Sequence, residues 1–243
     1  MISNSRNGGN FLFSLLNNYL IKSNICLILL SEIIMAYNDK HIQIIETAEQ
    51  LFAKKGYEAA TVRDIAEQAG VNIAMISYYF GSKEKLLEAL FNHRMGGIKM
   101  RVESLVKNDS LTPIQKMEIL IDEHIERVVH HEGFYKVLLC EQVINKNPVI
   151  IKLVTEIKKG NAELINKLII DGEQKGVFKK NVDVVLLMST MVGTVMQVII
   201  SQNFYKDFNC LKKMPSKEFE ETIQKKLSIH VKKIFKALLT NEG

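Results

Sequence analysis

At 243 residues, 47% hydrophobic and with only 3 prolines and 13 glycines, the chain has the size and composition of a compact helical protein of one or two domains. Three widely spaced cysteines, Cys26, Cys140 and Cys210, with no CxxC pair, argue against a zinc site and point to a reducing cytoplasm, with Cys140 read as a buried inert thiol. The net charge of +5 is no argument for nucleic acid on its own. Residues 38–95 hold 7 Lys/Arg against 8 Asp/Glu, while residues 212–236 hold 8 lysines against 3 glutamates and read as a solvated helix face.

Residues 1–34 stand outside the pattern that follows. Their apolar run, Ile25 to Leu30, is bounded by Lys22 and Glu32 and is too short to cross a membrane. A basic n-region and an A-x-A-like cleavage site are both wanting, so a signal peptide fits poorly. The expectation is a leader outside the fold, with translation starting at Met35. A first helix is then predicted over 39–55, with Ile42, Ile45, Ala48, Leu51 and Phe52 as its buried stripe and Gly56 as its stop.

The next 25 residues, Thr61 to Lys85, carry the densest signal. Thr61 and Asp64 fit the acidic form of a capping box. Val62, Ile65, Ala66 and Ala69 recur at helical spacing over 62–69. Gly70 supplies the backbone freedom of a sharp turn, and Asn72 is a good N-cap for a second short helix over 73–79. Ser82 opens another helix. Two short helices across a tight turn form a DNA-reading helix-turn-helix, and no acidic side chain lies between Val71 and Gly81 to repel phosphate. Thr61, Tyr78, Tyr79 and Lys83 are the candidate phosphate donors that would set register. Arg63, Asn72, Ile73, Ala74, Met75 and Ser77 remain to meet base edges: Arg suits guanine, Asn suits adenine, and small apolar groups pack on the thymine methyl. Singly, each of these residues has an ordinary explanation as a solvated charge or a half-buried helix residue. Their co-occurrence on one face carries the reading.

Residues 44–91 resemble the N-terminal domain of the TetR family of bacterial transcriptional repressors. The resemblance rests on Ile45, Ala48, Leu51, Phe52, Gly56, Tyr57 and Thr61, then Ile65-Ala66, Ala69-Gly70-Val71, Tyr79-Phe80, Lys83-Glu84 and Leu86-Leu87. Ser77 and Ala74 stand where the family often has tyrosine and glycine, so the base preference of this helix does not carry over from relatives. The resemblance implies an all-α fold: an N-terminal three-helix helix-turn-helix domain, here 35–95, followed by a larger helical ligand-binding and dimerisation domain, 96–243.

Downstream, a fourth helix is expected over 83–106 as the lever between the domains, and a loop over 107–110. Thr112-Pro113 with Gln115 starts the next helix, which ends near His131. Helices over 134–145 and 148–175 follow. Residues 184–205 carry no charge at all; Ser189, Thr190, Gly193, Thr194 and Gln197 favour a helix buried on both sides over a membrane span. A last helix over 216–239 carries Phe219, Ile223, Leu227, Val231, Ile234, Phe235 and Leu238 on one stripe. The last two helices of two chains would form a four-helix homodimer bundle, the arrangement the family resemblance also implies.

Function follows as an expectation: a cytoplasmic, homodimeric, non-enzymatic regulator that binds double-stranded DNA and has no membrane partner. No catalytic motif, cofactor or metal site is read; the cluster Glu123, His124, Glu126, His130, His131 and Glu132 reads as a solvated helix end. A small apolar or amphipathic effector is expected in a pocket drawn from Phe134, Tyr135, Cys140, Met188, Met191, Gln197 and Tyr205, with Gln197 and Tyr205 orienting it. The rival reading is a ligand-independent, nucleoid-type DNA-binding protein.

Overall fold

The computed structural model describes residues 39–144 and 147–241; the 1–34 leader, the Met35 start and Cys26 lie outside them. Among the described residues all regular structure is helical. Helix α1 spans residues 39–55 and ends at Gly56, whose φ of 83° lies in the region that favours glycine. Its buried stripe is Ile44, Ile45, Ala48, Leu51 and Phe52, while Ile42 is 37% exposed. Four of the five expected positions are buried, and Ile44 takes the place of Ile42, which lies outside the buried face.

Helix α2 (Val62–Gln68) opens on the full capping box, with Thr61 Oγ1 accepting from the Asp64 amide at 3.1 Å and the Thr61 amide donating to Asp64 Oδ2 at 2.9 Å. Gly70, at φ 60°, turns the chain into α3 (Ile73–Phe80). Asn72 caps α3 by accepting from the Ala74 amide at 3.0 Å. After Gly81 comes α4 (Lys83–Met95). Ile65, Ala66, Ala69, Ile76 and Phe80 close onto α1 and onto Leu86, Leu87 and Leu90 of α4 as one core. The small Ala66 and Ala69 allow the close crossing of the two reader helices.

The single helix expected over 83–106 is two helices, α4 and α5 (Ile98–Val106), separated by Gly96-Gly97. A side chain at Gly96 would put its Cβ 2.5 Å from the Asn92 carbonyl oxygen, so this junction is tight against anything larger than glycine. Helix α6 (Pro113–His130) opens on the Thr112/Gln115 box with Pro113 in its first turn, and α7 (Glu132–Val143) follows after His131. Helix α8 (Pro148–Gln174) is capped by Asn147. Helix α6 is the hub: it packs on α5, α7, α8, α9 (Val184–Ile200) and α11 (Ser216–Leu239). Its buried Lys116 donates to the Val106 carbonyl at 2.6 Å, closing the end of α5.

The uncharged segment 184–205, expected as one helix, breaks at Ser201, where the chain bends by 73° into a short helix, α10 (Gln202–Phe208), that periodicity did not separate. No single helix among the described residues is long and apolar enough to cross a membrane; this bent pair passes only on combined length and composition. The inner stripe of α11 is Phe219, Ile223, Leu227, Val231, Phe235 and Leu239. Leu238 is half exposed, contrary to its expected place in the stripe. On α9 the expected second buried face is uncovered within one chain: Val185 and Leu186 are 65% exposed, and nothing within 4 Å faces a side chain placed at Gly193. Ser189 and Thr190 donate back to the carbonyls of Val185 and Leu186, so their hydroxyls add little polarity to that face.

Candidate DNA interface and effector cavity

The reader nominees fall on one side of α2 and α3. Arg63, Asn72, Ile73, Ala74, Ser77 and Tyr78 are exposed, Tyr78 at 78%, while Met75 and Tyr79 are half-buried. Burial of Ile76 and Phe80 fixes the register of α3 and turns 73, 74, 77 and 78 outward. Among the described residues Arg63 forms no ion pair, so its guanidinium is available to a base edge or phosphate. Three nominees carry structural duties as well. Thr61 and Asn72 are caps: each side-chain oxygen already accepts one backbone amide, leaving the Thr61 hydroxyl hydrogen and the Asn72 amide group to donate outward. Lys83 donates to the Glu58 carbonyl at 3.2 Å and lies 4.3 Å from the Tyr57 ring centroid, so its ammonium is held at the end of α3. Tyr79 stands edge-on to His41 at 5.9 Å and to Tyr78 at 5.6 Å, which ties the α3 aromatics to α1.

The regulatory half holds a partly open cavity of about 130 Å³ between α4, α5, α6, α7, α8 and α9. Met95, Ile98, Leu138 and Ile165 give it apolar walls, and Tyr135, Met188 and Met191 line it as nominated. The other nominees do not reach it. Phe134 is core, 5.0 Å from the Phe91 ring. Cys140 is exposed on α7, which corrects the buried-thiol reading, and Gln197 is exposed on α9. Tyr205 lies on α10 beside Phe219 and lines a separate groove with Ile223 and His230. The Ser201 break swings it away from the cavity.

Polar groups missed in the sequence complete the cavity: His124 and Arg127 from α6, and Lys158 and Asn161 from α8. His124 is not part of a solvated helix end. Desolvation by burial first, and the positive charge of Arg127 second, hold its pKa down at about 4, so the ring is neutral at pH 7. Tyr135 has its pKa raised by burial, opposed by the charge and hydrogen bond of Arg127. The signal was available: His124 sits three and four residues after Ile121 and Leu120 and four before Val128, on the buried face of α6. Among the described residues no cluster of His, Cys, Asp or Glu has the makings of a metal site.

A third feature lies where the halves meet. Arg94 Nε of α4 donates to the shielded Glu49 Oε2 of α1 at 2.7 Å, and Arg94 also lies 3.7 Å from Glu46. Directly above, Gly133 at the start of α7 approaches α1 so closely that a side chain there would stand 3.4 Å from Ala53 and 3.6 Å from Glu49.

Comparison with known proteins agrees with this geometry. Residues 44–90 match the bacterial regulatory proteins of the tetR family, and residues 91–213 match the C-terminal region of YsiA-like proteins. The chain belongs to the TetR family. TetR proteins are DNA-binding transcriptional regulators, not enzymes. A curated relative, the fatty acid metabolism regulator protein of Bacillus subtilis (strain 168), is 30% identical over 66% of this chain and 81% of its own length. The solved structure of the transcriptional regulator FadR from Bacillus subtilis, in complex with stearoyl-CoA, is 26% identical at a TM-score of 0.59, over 81% of this chain and 98% of that one. The ketosteroid transcriptional regulator KstR2 of Mycobacterium tuberculosis shares the fold at a TM-score of 0.63 and 20% identity, over 83% of this chain and 95% of that one.

Proposed function

We propose that this TetR protein is a homodimeric repressor in the cytoplasm, released from a pseudo-palindromic operator by a small amphipathic effector. The observation that carries the reading is the coexistence in one chain of an outward-facing α3 free of acidic residues and a mixed apolar and polar cavity walled by α4 through α9. Residues 35–95 would be the reader and 96–243 the regulatory and dimerisation domain. Thr61, Tyr78, Tyr79 and Lys83 would grip phosphates; Arg63, Asn72, Ile73, Ala74, Met75 and Ser77 would meet bases. Tyr135, Met188 and Met191, with His124, Arg127 and Asn161, would receive the effector.

The uncovered apolar positions on α9 and α11, Val185, Leu186, Val192, Ile229 and Leu238, support self-association through these two helices. Two readers in successive major grooves require half-sites about 34 Å apart. An effector that binds better when α4, α5 and α6 are spread shifts the population away from the DNA-competent dimer. Relatives named for fatty acid and ketosteroid regulation favour an amphipathic effector of lipid origin over a polar metabolite.

The test is selection of bound fragments from genomic DNA at near-physiological salt, with sedimentation analysis of the free protein. An enriched inverted repeat bound by a dimer supports the reading. DNA recovered without a common motif, together with no small molecule that alters binding, would instead support the ligand-independent nucleoid-type alternative.

A further inference from the structure

Three buried polar atoms on the cavity-lining residues lack a protein partner: His124 Nε2, Arg127 Nε and Asn161 Oδ1. Buried polar atoms are almost always paired, and three orphans on facing helices around one cavity mark a place where a ligand completes the hydrogen bonding. Their chemistry constrains that ligand. Arg127 Nε can only donate and Asn161 Oδ1 can only accept, while neutral His124 does either according to its tautomer. A purely apolar molecule leaves all three unpaired. With the Asn161 amide turned so that its oxygen faces the cavity, a head that only accepts, such as an ester or thioester carbonyl, satisfies Arg127 and leaves that oxygen orphaned.

We infer that the cavity is built for an amphipathic ligand whose head carries a hydrogen-bond donor beside a carbonyl-type acceptor, an acyl amide or hydroxyacyl group. The acceptor faces Arg127 Nε and the donor faces Asn161 Oδ1. This rests on the effector reading of the cavity and adds the class of head group. The tail lies among Met95, Ile98, Ile165 and Met191. The cavity volume of about 130 Å³ is close to the roughly 150 Å³ that admits benzene, so chains of about six carbons suit the first probes.

The experiment measures affinity on the full chain, by ligand-observed NMR, for hexanamide, methyl 3-hydroxyhexanoate and methyl hexanoate. The first two carry donor and acceptor; the third only accepts. At least one donor-bearing probe is expected to bind about tenfold tighter than the plain ester, since a buried group left unpaired costs about that much; which probe it is separates an amide from a hydroxyl source. Asn161→Leu should bring the three affinities within about twofold of one another, and Arg127→Met should weaken all three. Thermal melts verify that both variants fold. Equal affinities in the wild type, a preference that survives Asn161→Leu, or no binding by any probe overturns the inference. DNA release is scored separately. A probe that binds with the expected preference but leaves DNA affinity unchanged sinks the ligand-release reading and not the head-group assignment, whereas release by a ligand without that preference does the reverse.

Discussion

Arg94 Nε meets Glu49 Oε2 at 2.7 Å, with only 15% and 11% of the two side chains exposed, beneath the point where Gly133 brings α7 against α1. An ion pair this shielded is costly to break from one side, because the survivor keeps its charge in a poorly solvated place. Arg94→Met should lower unfolding free energy by about 3 kcal/mol, and the double change Arg94→Met with Glu49→Leu should recover at least half of that. Urea titrations of the four proteins in the cycle decide it. Simple additivity of the two losses would mean that the pair is not coupled and does not pin α1 to α4.

Gly172 of α8 lies flat against the ring of Phe178, with Phe178 Cδ2 only 2.0 Å from where a side chain's first carbon would stand. Phe178 is itself buried and follows the turn at Gly176, so it has little room to retreat. Gly172→Ala should therefore destabilise by about 1–3 kcal/mol, the usual cost of overpacking, despite alanine's better helix propensity. A paired Gly172→Ala, Phe178→Leu protein should be more stable than Gly172→Ala alone. An unchanged or raised melting temperature for Gly172→Ala would show that the ring is free to move.

The pH dependence of stability should carry the mark of His124. Its pKa is held at about 4 in the fold by burial and by Arg127, against an ordinary value of 6.5. Between those values the unfolded chain binds a proton that the folded chain refuses, so stability is full above about pH 6.5 and falls as pH drops toward 4. The contribution lost over that window is about 3 kcal/mol. His41 and His131 are also shifted down, chiefly by burial, and act in the same direction. The diagnostic is a difference: His124→Gln should lose about 3 kcal/mol less than the wild type between pH 7 and 4. Parallel pH profiles would mean that His124 is not buried in its neutral form.

How far sequence reached depends on whether a signal was local. The reader's caps, turn and register depend on residues two to four apart, so Thr61–Asp64, Gly70 and Asn72 were legible and appear at those places. The all-helical course and the Thr112/Gln115 start were legible for the same reason. The break at Gly96 and the bend at Ser201 were not, because apolar periodicity runs on through both. The polar side of the cavity pairs α6 with α8, and the Arg94–Glu49 contact spans 45 residues; no spacing rule connects such positions. Gln197 and Tyr205 drew attention as polar side chains near an apolar run, but one faces outward and the other lies beyond the bend.

Arg63 and Lys83 should separate on DNA by the kind of change they produce. Arg63 is exposed on α2 without an ion-pair partner among the described residues, so Arg63→Ala should relax base preference at one position of each half-site, costing about 1–3 kcal/mol on the preferred sequence and little on others. Lys83 is held by the Glu58 carbonyl and the Tyr57 ring, and its two remaining ammonium donors are free for phosphate. Lys83→Ala should weaken binding to all sequences alike and reduce the slope of log affinity against log salt by about 0.9 for each lost phosphate contact. Tyr79→Phe removes one neutral donor and should weaken all sequences while leaving that slope unchanged. Titrations of the selected repeat and a scrambled fragment at several salt concentrations read out all three variants. A salt slope unmoved by Lys83→Ala would confine that lysine to holding the α1–α2 turn, and an Arg63→Ala protein with unchanged preference would remove Arg63 from the base-reading set.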